Sequence, residues 1–154
     1  MAKNAHLTFD ERQTIEVSLR DNLKFKEIAD LLGKDPSTIS KEIRGHIKVI
    51  EKSTYNPCAN RLTCKHYGDI CKPCKKLYGK DCKKCDPPCY KHCPDFKNLE
   101  CIRLTKPPYV CNGCSTRHGC KLKRHLYEAK FAQNEYEAVR SESRQGFAID
   151  QAEL

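Results

Sequence analysis

The sequence predicts a mainly α-helical protein with an irregular middle that is cross-linked rather than packed. Three observations carry that expectation. Apolar side chains recur at three- and four-residue steps in residues 5–45 and again in residues 121–145, the helical period. All twelve cysteines fall between Cys58 and Cys120. Within those 63 residues only 13 are Ala, Leu, Ile, Val, Phe or Tyr. That is too little apolar surface to offset the entropy of ordering the segment.

The first region divides into three short helices. Thr8 followed by Glu11 is a capping-box signal, so the first helix is expected to begin at Phe9, with Ile15 and Leu19 inward and Leu23 closing that face. A second is expected over Phe25–Leu32, with Ile28, Leu31 and Leu32 inward and Gly33 supplying the turn. Asp35 can cap a third helix whose first position, Pro36, loses nothing by lacking an N–H. Ile39 and Ile43, one turn apart, point to the core.

A small residue at Ala29, a glycine four residues later and Ile39 six after that form the spacing of a helix-turn-helix. The outer face of the third helix carries Ser37, Thr38, Ser40, Lys41 and Arg44. Hydroxyls and cations of this kind suit base edges and phosphates in a major groove, and free N–H groups at the helix start can meet a phosphate. Ser37, Thr38 and Lys41 are expected near bases, Ser40 and Arg44 nearer the backbone, and Lys24 and Lys26 on phosphates. Lys34 stands where such motifs often carry an apolar residue. The competing reading is a small trihelical module with a solvated polar face.

Residues 46–57 are expected to be a linker, because Ser53-Thr54-Tyr55-Asn56-Pro57 disfavours helix. Residues 58–120 are the cysteine-rich module. The N-terminus has no apolar core of a secretory signal, and no stretch approaches the apolar length that spans a bilayer. A reducing cytoplasm, with association to the nucleoid, is the expected setting. There, clustered cysteines bind metal more often than they pair. A structural zinc ion contributes on the order of 10–16 kcal/mol of apparent folding free energy in finger peptides. Two or three such ions would hold the module, with Cys58, Cys64, Cys71, Cys74, Cys82, Cys85, Cys89, Cys93, Cys101, Cys111, Cys114 and Cys120 as candidate ligands.

Three pairs have the C-x-x-C spacing that presents two sulfurs to one ion: Cys71/Cys74, Cys82/Cys85 and Cys111/Cys114. The first two pairs are expected to share a site, the loop with Gly79 turning back between them. Cys111/Cys114 is expected to take Cys120 and one earlier cysteine. Spacing leaves open how Cys58, Cys64, Cys89, Cys93 and Cys101 are grouped, and whether His66, His92 or His118 replaces a thiol. Sites filled by four protein ligands are structural rather than catalytic. A thioredoxin-like redox role would need a βαβ context that the pattern lacks. A secreted, disulfide-knotted protein is the structural rival.

Formal net charge is +9. A four-thiolate zinc site carries about two net negative charges, so three would lower the total to about +3. Lys72, Lys75, Lys76, Lys80, Lys83, Lys84 and Lys91 lie between the ligands. They can offset the metal centres or contact phosphates, and the sequence supports both readings.

Leu122, Leu126, Ala129, Ala132, Tyr136 and Val139 form one stripe of an amphipathic helix, with Tyr127 and Phe131 flanking it and Gly146 as its stop. This helix can pack on the module, form a homodimer, or dock a further domain. Residues 146–154, with Asp150 and Glu153 as a second capping-box-like pair, look like the truncated start of a following segment.

The runs from Leu7 to Ile15 and from Ile28 to Ile43 resemble the N-terminal helix-turn-helix of bacterial insertion-sequence-thirty transposases, most specifically over Pro36-Ser-Thr-Ile-Ser-Lys-Glu-Ile43. The stretch Pro107-Pro-Tyr-Val-Cys-Asn-Gly-Cys114 is similar to a cysteine-rich insert found in part of that family. The resemblance implies recognition of a mobile element's terminal inverted repeats, with Pro36–Arg44 as the reading helix. It also implies a downstream metal-dependent nuclease domain, for which this chain has no room, so the chain alone is expected to cut no DNA. The alternative of another class is a stand-alone, zinc-containing transcriptional regulator.

Overall fold

The computed structural model describes residues 6–50, 58–60, 63–66, 93–120 and 122–152. Among them are four α-helices and a two-stranded sheet. Helices α1 (Phe9–Arg20), α2 (Phe25–Leu32) and α3 (Pro36–Gly45) fall where the sequence places them. Each start has a local cause. The Thr8 hydroxyl accepts from the Glu11 N–H at 3.2 Å, and the Glu11 carboxylate accepts from the Thr8 N–H at 2.8 Å, completing the capping box. At α2 the Glu27 carboxylate accepts from the Lys24 N–H at 2.7 Å. At α3 the Asp35 carboxylate accepts from the Ser37 N–H at 2.8 Å. Gly33 ends α2 with φ 62°, a left-handed conformation that costs glycine little.

Ile15, Ile28, Ala29, Ile39 and Ile43 are fully buried between the three helices, with Leu7 and Leu19 beside them. One expectation fails here. Leu31 points outward, 63% exposed. Phe25, Ile28, Ala29 and Leu32 define the inward stripe of α2, and Leu31 lies roughly 110° round the helix from its centre at 3.6 residues per turn.

After α3 the chain forms strand β1 (Lys48–Ile50), which pairs antiparallel with β2 (Arg124–Leu126), Lys48 opposite Leu126. The stretch read as a linker therefore opens with a strand. The C-terminal helix also begins later than expected. Helix α4 spans Ala129–Ala152, so Leu122 and Leu126 lie outside it. The ladder with β1 holds residues 124–126 extended, and the Glu16 carboxylate of α1 accepts from the Ala129 N–H at 2.8 Å, marking the new helix start. Gly146 does not stop α4. Its backbone continues to Ala152, through the residues read as a separate start.

Helix α4 packs along α1. Ala129 and Ala132 are buried, whereas Val139 is 62% exposed, so the expected stripe leaves the core after about three turns. Tyr127, read as flanking, is fully buried at the centre. Val110, from the cysteine-rich stretch, joins the same core.

A polar knot lies inside this core. Arg12 is 2% exposed. Its Nε donates to Glu42 Oε1 at 2.7 Å, and its Nη1 donates to the Leu7 carbonyl at 2.7 Å and to Gln133 Oε1 at 2.6 Å. The Tyr127 hydroxyl donates to the same Glu42 oxygen at 3.0 Å. Burial holds the Tyr127 phenol far above its usual range, and the Glu42 carboxylate reinforces that. The knot thus ties α1 to α3 and α4.

Two predictions arise. Arg12→Met removes the guanidinium from the Glu42 carboxylate in a nearly dry site and leaves the His46 ring, 3.7 Å away, as its basic neighbour. Denaturant unfolding of the full chain should show a loss of about 3–5 kcal/mol. The second concerns acid. Hydrogen bonds from Ser37 hold the Asp35 carboxyl below its ordinary value, with Lys41 adding to it. The cap is therefore fully present above the ordinary carboxylate range of about pH 4 and is lost as pH falls through the lower folded value. Asp35→Asn keeps a neutral cap, and the acid limb of the stability curve should become shallower.

Candidate nucleic-acid interface

Ile39 and Ile43 anchor α3 from beneath, and the alternate face stays in solvent. Ser37, Thr38, Lys41 and Arg44 are exposed, and Ser40 is half-buried. Lys24 and Lys26, at the start of α2, are exposed as well. All seven residues expected to face DNA thus lie on α3 or at the N-terminal end of α2. Lys34 is accounted for by an ion pair. Its ammonium stands 3.6 Å from the Glu11 carboxylate, joining the turn after α2 to the capping box of α1.

One expectation about this face is corrected. The first-turn N–H groups of α3 are already used. Pro36 has none, the Ser37 N–H goes to the Asp35 carboxylate, and the Thr38 N–H goes to the Asp35 carbonyl at 3.0 Å. Phosphate contact at this helix start must therefore come from side chains.

With the three helices, the left-handed turn and this outward polar face in place, the comparison with known families decides the unit. Residues 3–46 match a family model described as a helix-turn-helix domain. The N-terminal unit is a helix-turn-helix. The match ends just before β1. No curated protein and no solved structure matches the chain. A helix-turn-helix points to DNA binding, and in such motifs it is the second helix, the counterpart of α3 here, that lies in the major groove. Among the described residues, no helix is long and apolar enough to cross a membrane.

The cysteine-rich stretch meets this domain at α2 and α3. Tyr109 sits between the two helices of the motif. The Arg44 guanidinium lies over the Tyr109 ring, 4.9 Å from its centroid, and the Phe25 and Tyr109 rings are 6.2 Å apart. A contact of the Arg44 kind is worth about 0.5–1 kcal/mol at an exposed site. Tyr109 has φ 63°, a left-handed conformation unusual for an aromatic residue. Sequence reasoning did not single out Tyr109. Its neighbourhood, Pro107-Pro108-Tyr109-Val110, was the available signal.

The next residues seat the segment. Asn112 is buried, and its side chain bridges both backbone groups of Tyr127: Nδ2 donates to the carbonyl at 2.8 Å and Oδ1 accepts from the N–H at 2.9 Å. The Cys111 N–H donates to the His125 carbonyl at 2.6 Å. Gly113 lies against the end of α1. A Cβ there would stand 2.7 Å from the Leu19 carbonyl oxygen and would overlap the Asn22 side chain.

No disulfide joins two of the seven described cysteines: Cys58, Cys64, Cys93, Cys101, Cys111, Cys114 and Cys120. Cys101, Cys111 and Cys114 border one cleft, beside Arg103 and Gly113. Cys58, Cys64 and Cys93 border another, with His66. The His66 ring is paired with the Asp95 carboxylate, and His118 is exposed. Among the described residues, no three His, Cys, Asp or Glu side chains are arranged to hold a metal ion. Cys71, Cys74, Cys82, Cys85, Cys89 and His92 lie outside the described residues, as do the interleaved lysines from Lys72 to Lys91 and the Ser53–Pro57 stretch.

The thiols of the first cleft differ in character. Burial pushes the Cys111 thiol up; the hydrogen bond with His125 works against this, and repulsion from Cys114, Cys101 and Cys120 adds to it. The Cys114 thiol is held below its usual range by hydrogen bonds from Thr116, with Arg103 contributing.

Gly113→Ala should separate the Cys111–Cys114 turn from α1, because the carbonyl it meets is backbone and cannot rotate away. The expected cost is about 1–3 kcal/mol. Amide exchange should report it as lost protection at Cys111 and Tyr127.

Proposed function

We propose that this chain binds double-stranded DNA sequence-specifically, as the recognition part of a transposase, and that its targets are the terminal inverted repeats of a mobile element. The observation that carries the reading is the exposed face of α3. Ser37, Thr38, Lys41 and Arg44 stand clear of the core while Ile39 and Ile43 fix the helix from behind. The helix-turn-helix family matched by residues 3–46 is one found in transposases, which supports the narrower role.

In this reading α3 enters a major groove. Ser37, Thr38 and Lys41 meet base edges, and Arg44 and Ser40 lie nearer the phosphates. Lys24 and Lys26 contact the backbone from the start of α2. Structural zinc in the cysteine-rich stretch belongs to the same reading, as the scaffold beside the reading helix. A transcriptional regulator would use the same face. Binding sites beside promoters, rather than at element ends, would identify it.

Lys41→Ala separates base readout from phosphate contact. If Lys41 meets a base, affinity for the specific duplex should fall by about 1–3 kcal/mol while affinity for unrelated duplexes holds. Lys24→Ala should instead weaken all duplexes alike and lower the salt slope by about 1. Mobility shift at several salt concentrations measures both. A wild-type chain that binds no duplex at low salt overturns the proposal.

A further inference from the structure

We propose that Cys101, Cys111, Cys114 and Cys120 ligate a single thiophilic divalent ion, and that this ion clamps the Pro107–Val110 segment against the recognition helix. Cys101 is the ligand that spacing alone left open.

The backbone brings Cys101, Cys111 and Cys114 to one cleft. The Cys114 N–H donates to the Cys111 carbonyl at 3.0 Å, the Arg117 N–H to the Cys114 carbonyl at 3.3 Å, and the Cys120 N–H to the Arg117 carbonyl at 3.4 Å. These successive tight turns carry the chain from the C-x-x-C pair to Cys120. On the other side, Cys101 opens a short 3-10 turn over Ile102–Thr105, the Leu104 N–H donating to its carbonyl at 3.0 Å. The chain then doubles back through a turn in which the Tyr109 N–H donates to the Lys106 carbonyl at 2.9 Å. Cys101 thereby faces the same cleft as Cys111 and Cys114. Cys93, the nearest earlier cysteine in sequence, lines the other cleft.

The donor set suits zinc. Four thiolates fill a tetrahedral shell and leave no open position. Their excess negative charge has partners at hand: Arg103 Nη1 lies 3.6 Å from Cys114 Sγ, and the Thr116 hydroxyl lies 3.3 Å from it. Such outer contacts orient a metal-bound sulfur and moderate its charge. Cys101, Cys111 and Cys114 border the cleft, with no three ligand side chains among the described residues converging on one point, so the proposed ion would have to draw these turns, and Cys120 with them, inward.

The clamp follows from what the turns touch. Gly113 abuts Leu19 and Asn22, Val110 enters the core, and Tyr109 lies between Phe25 and Arg44. Fixing Cys101 to Cys111 across this loop fixes Tyr109, and through it the last turn of α3.

The test uses the full chain, purified under reducing conditions and loaded with zinc. Alkylation followed by peptide mass mapping is run across a chelator titration. Cys101, Cys111, Cys114 and Cys120 should be protected together and lose protection at one chelator concentration. Cys101 labelling at the same rate with and without zinc overturns the assignment, as does a chain that takes up no metal or thiols that resist labelling until reduced. A variant pair guards against misfolding. Cys101→His supplies another zinc ligand and should keep the full metal content, whereas Cys101→Ala should lose one ion per chain. Wild-type metal content in Cys101→Ala overturns the site. For the clamp, zinc removal should speed amide exchange over Ile39–Gly45 by about tenfold. Unchanged exchange there overturns the clamp. Neither readout involves DNA, so the outcome is separable from that of the DNA-binding proposal.

Discussion

The buried Arg12–Glu42 pair is the constraint around which the helices are arranged. Taking two charges out of water is costly, and their attraction alone does not repay it. Here the guanidinium also donates to the Leu7 carbonyl and Gln133, and the Glu42 carboxylate also accepts from the Tyr127 hydroxyl. Each partner comes from a different part of the chain, so the guanidinium is satisfied in one arrangement of α1, α3 and α4 only. An apolar contact tolerates sliding; a planar fork of donors does not. The pair therefore sets orientation more than it adds stability.

That orientation matters because Glu42 lies on α3, the helix proposed to read DNA, one residue after Lys41. The inner side of α3 is held by the Ile39 and Ile43 contacts and by a directional charge pair. Its outer side carries flexible polar groups. His46, at the end of α3, extends the restraint to α4, with Nδ1 2.6 Å from the Glu135 carboxylate. A rigid mount with adaptable fingertips is what base readout asks of a helix, since phosphate contacts position the protein and the side chains at the base edges discriminate.

The three N-terminal helices were legible because their signals are local. The Thr8/Glu11 box, the Phe25 start, the Gly33 turn and the Asp35-Pro36 cap act within a few residues, and the structure keeps each of them. What escaped prediction is non-local. Arg12 reads as a surface charge until Glu42 and Gln133 are brought to it from 30 and 121 residues away. Leu122 and Leu126 continue the helical period of α4, yet pairing with Lys48–Ile50 overrides that period. Tyr127 falls beside the helical stripe on a wheel, whereas its burial comes from Asn112 and Glu42. Of the candidate site, the reading face needed only the helical period. The contact of Tyr109 with Arg44 depends on a fold-back of 65 residues along the chain, which no periodicity reveals.

The pairing of Ile50 with Arg124 has a consequence for how such a protein can vary. The polypeptide leaves the helical unit and re-enters it side by side, like the two legs of a staple. Enlarging a loop between fixed feet adds cost only with the logarithm of its length, about 0.6 kcal/mol per doubling. Segments of differing size can therefore be grafted between those feet while the reading head keeps its shape. Diversification of the protein is expected to concentrate in that graft, upstream of the Pro107–Val110 anchor.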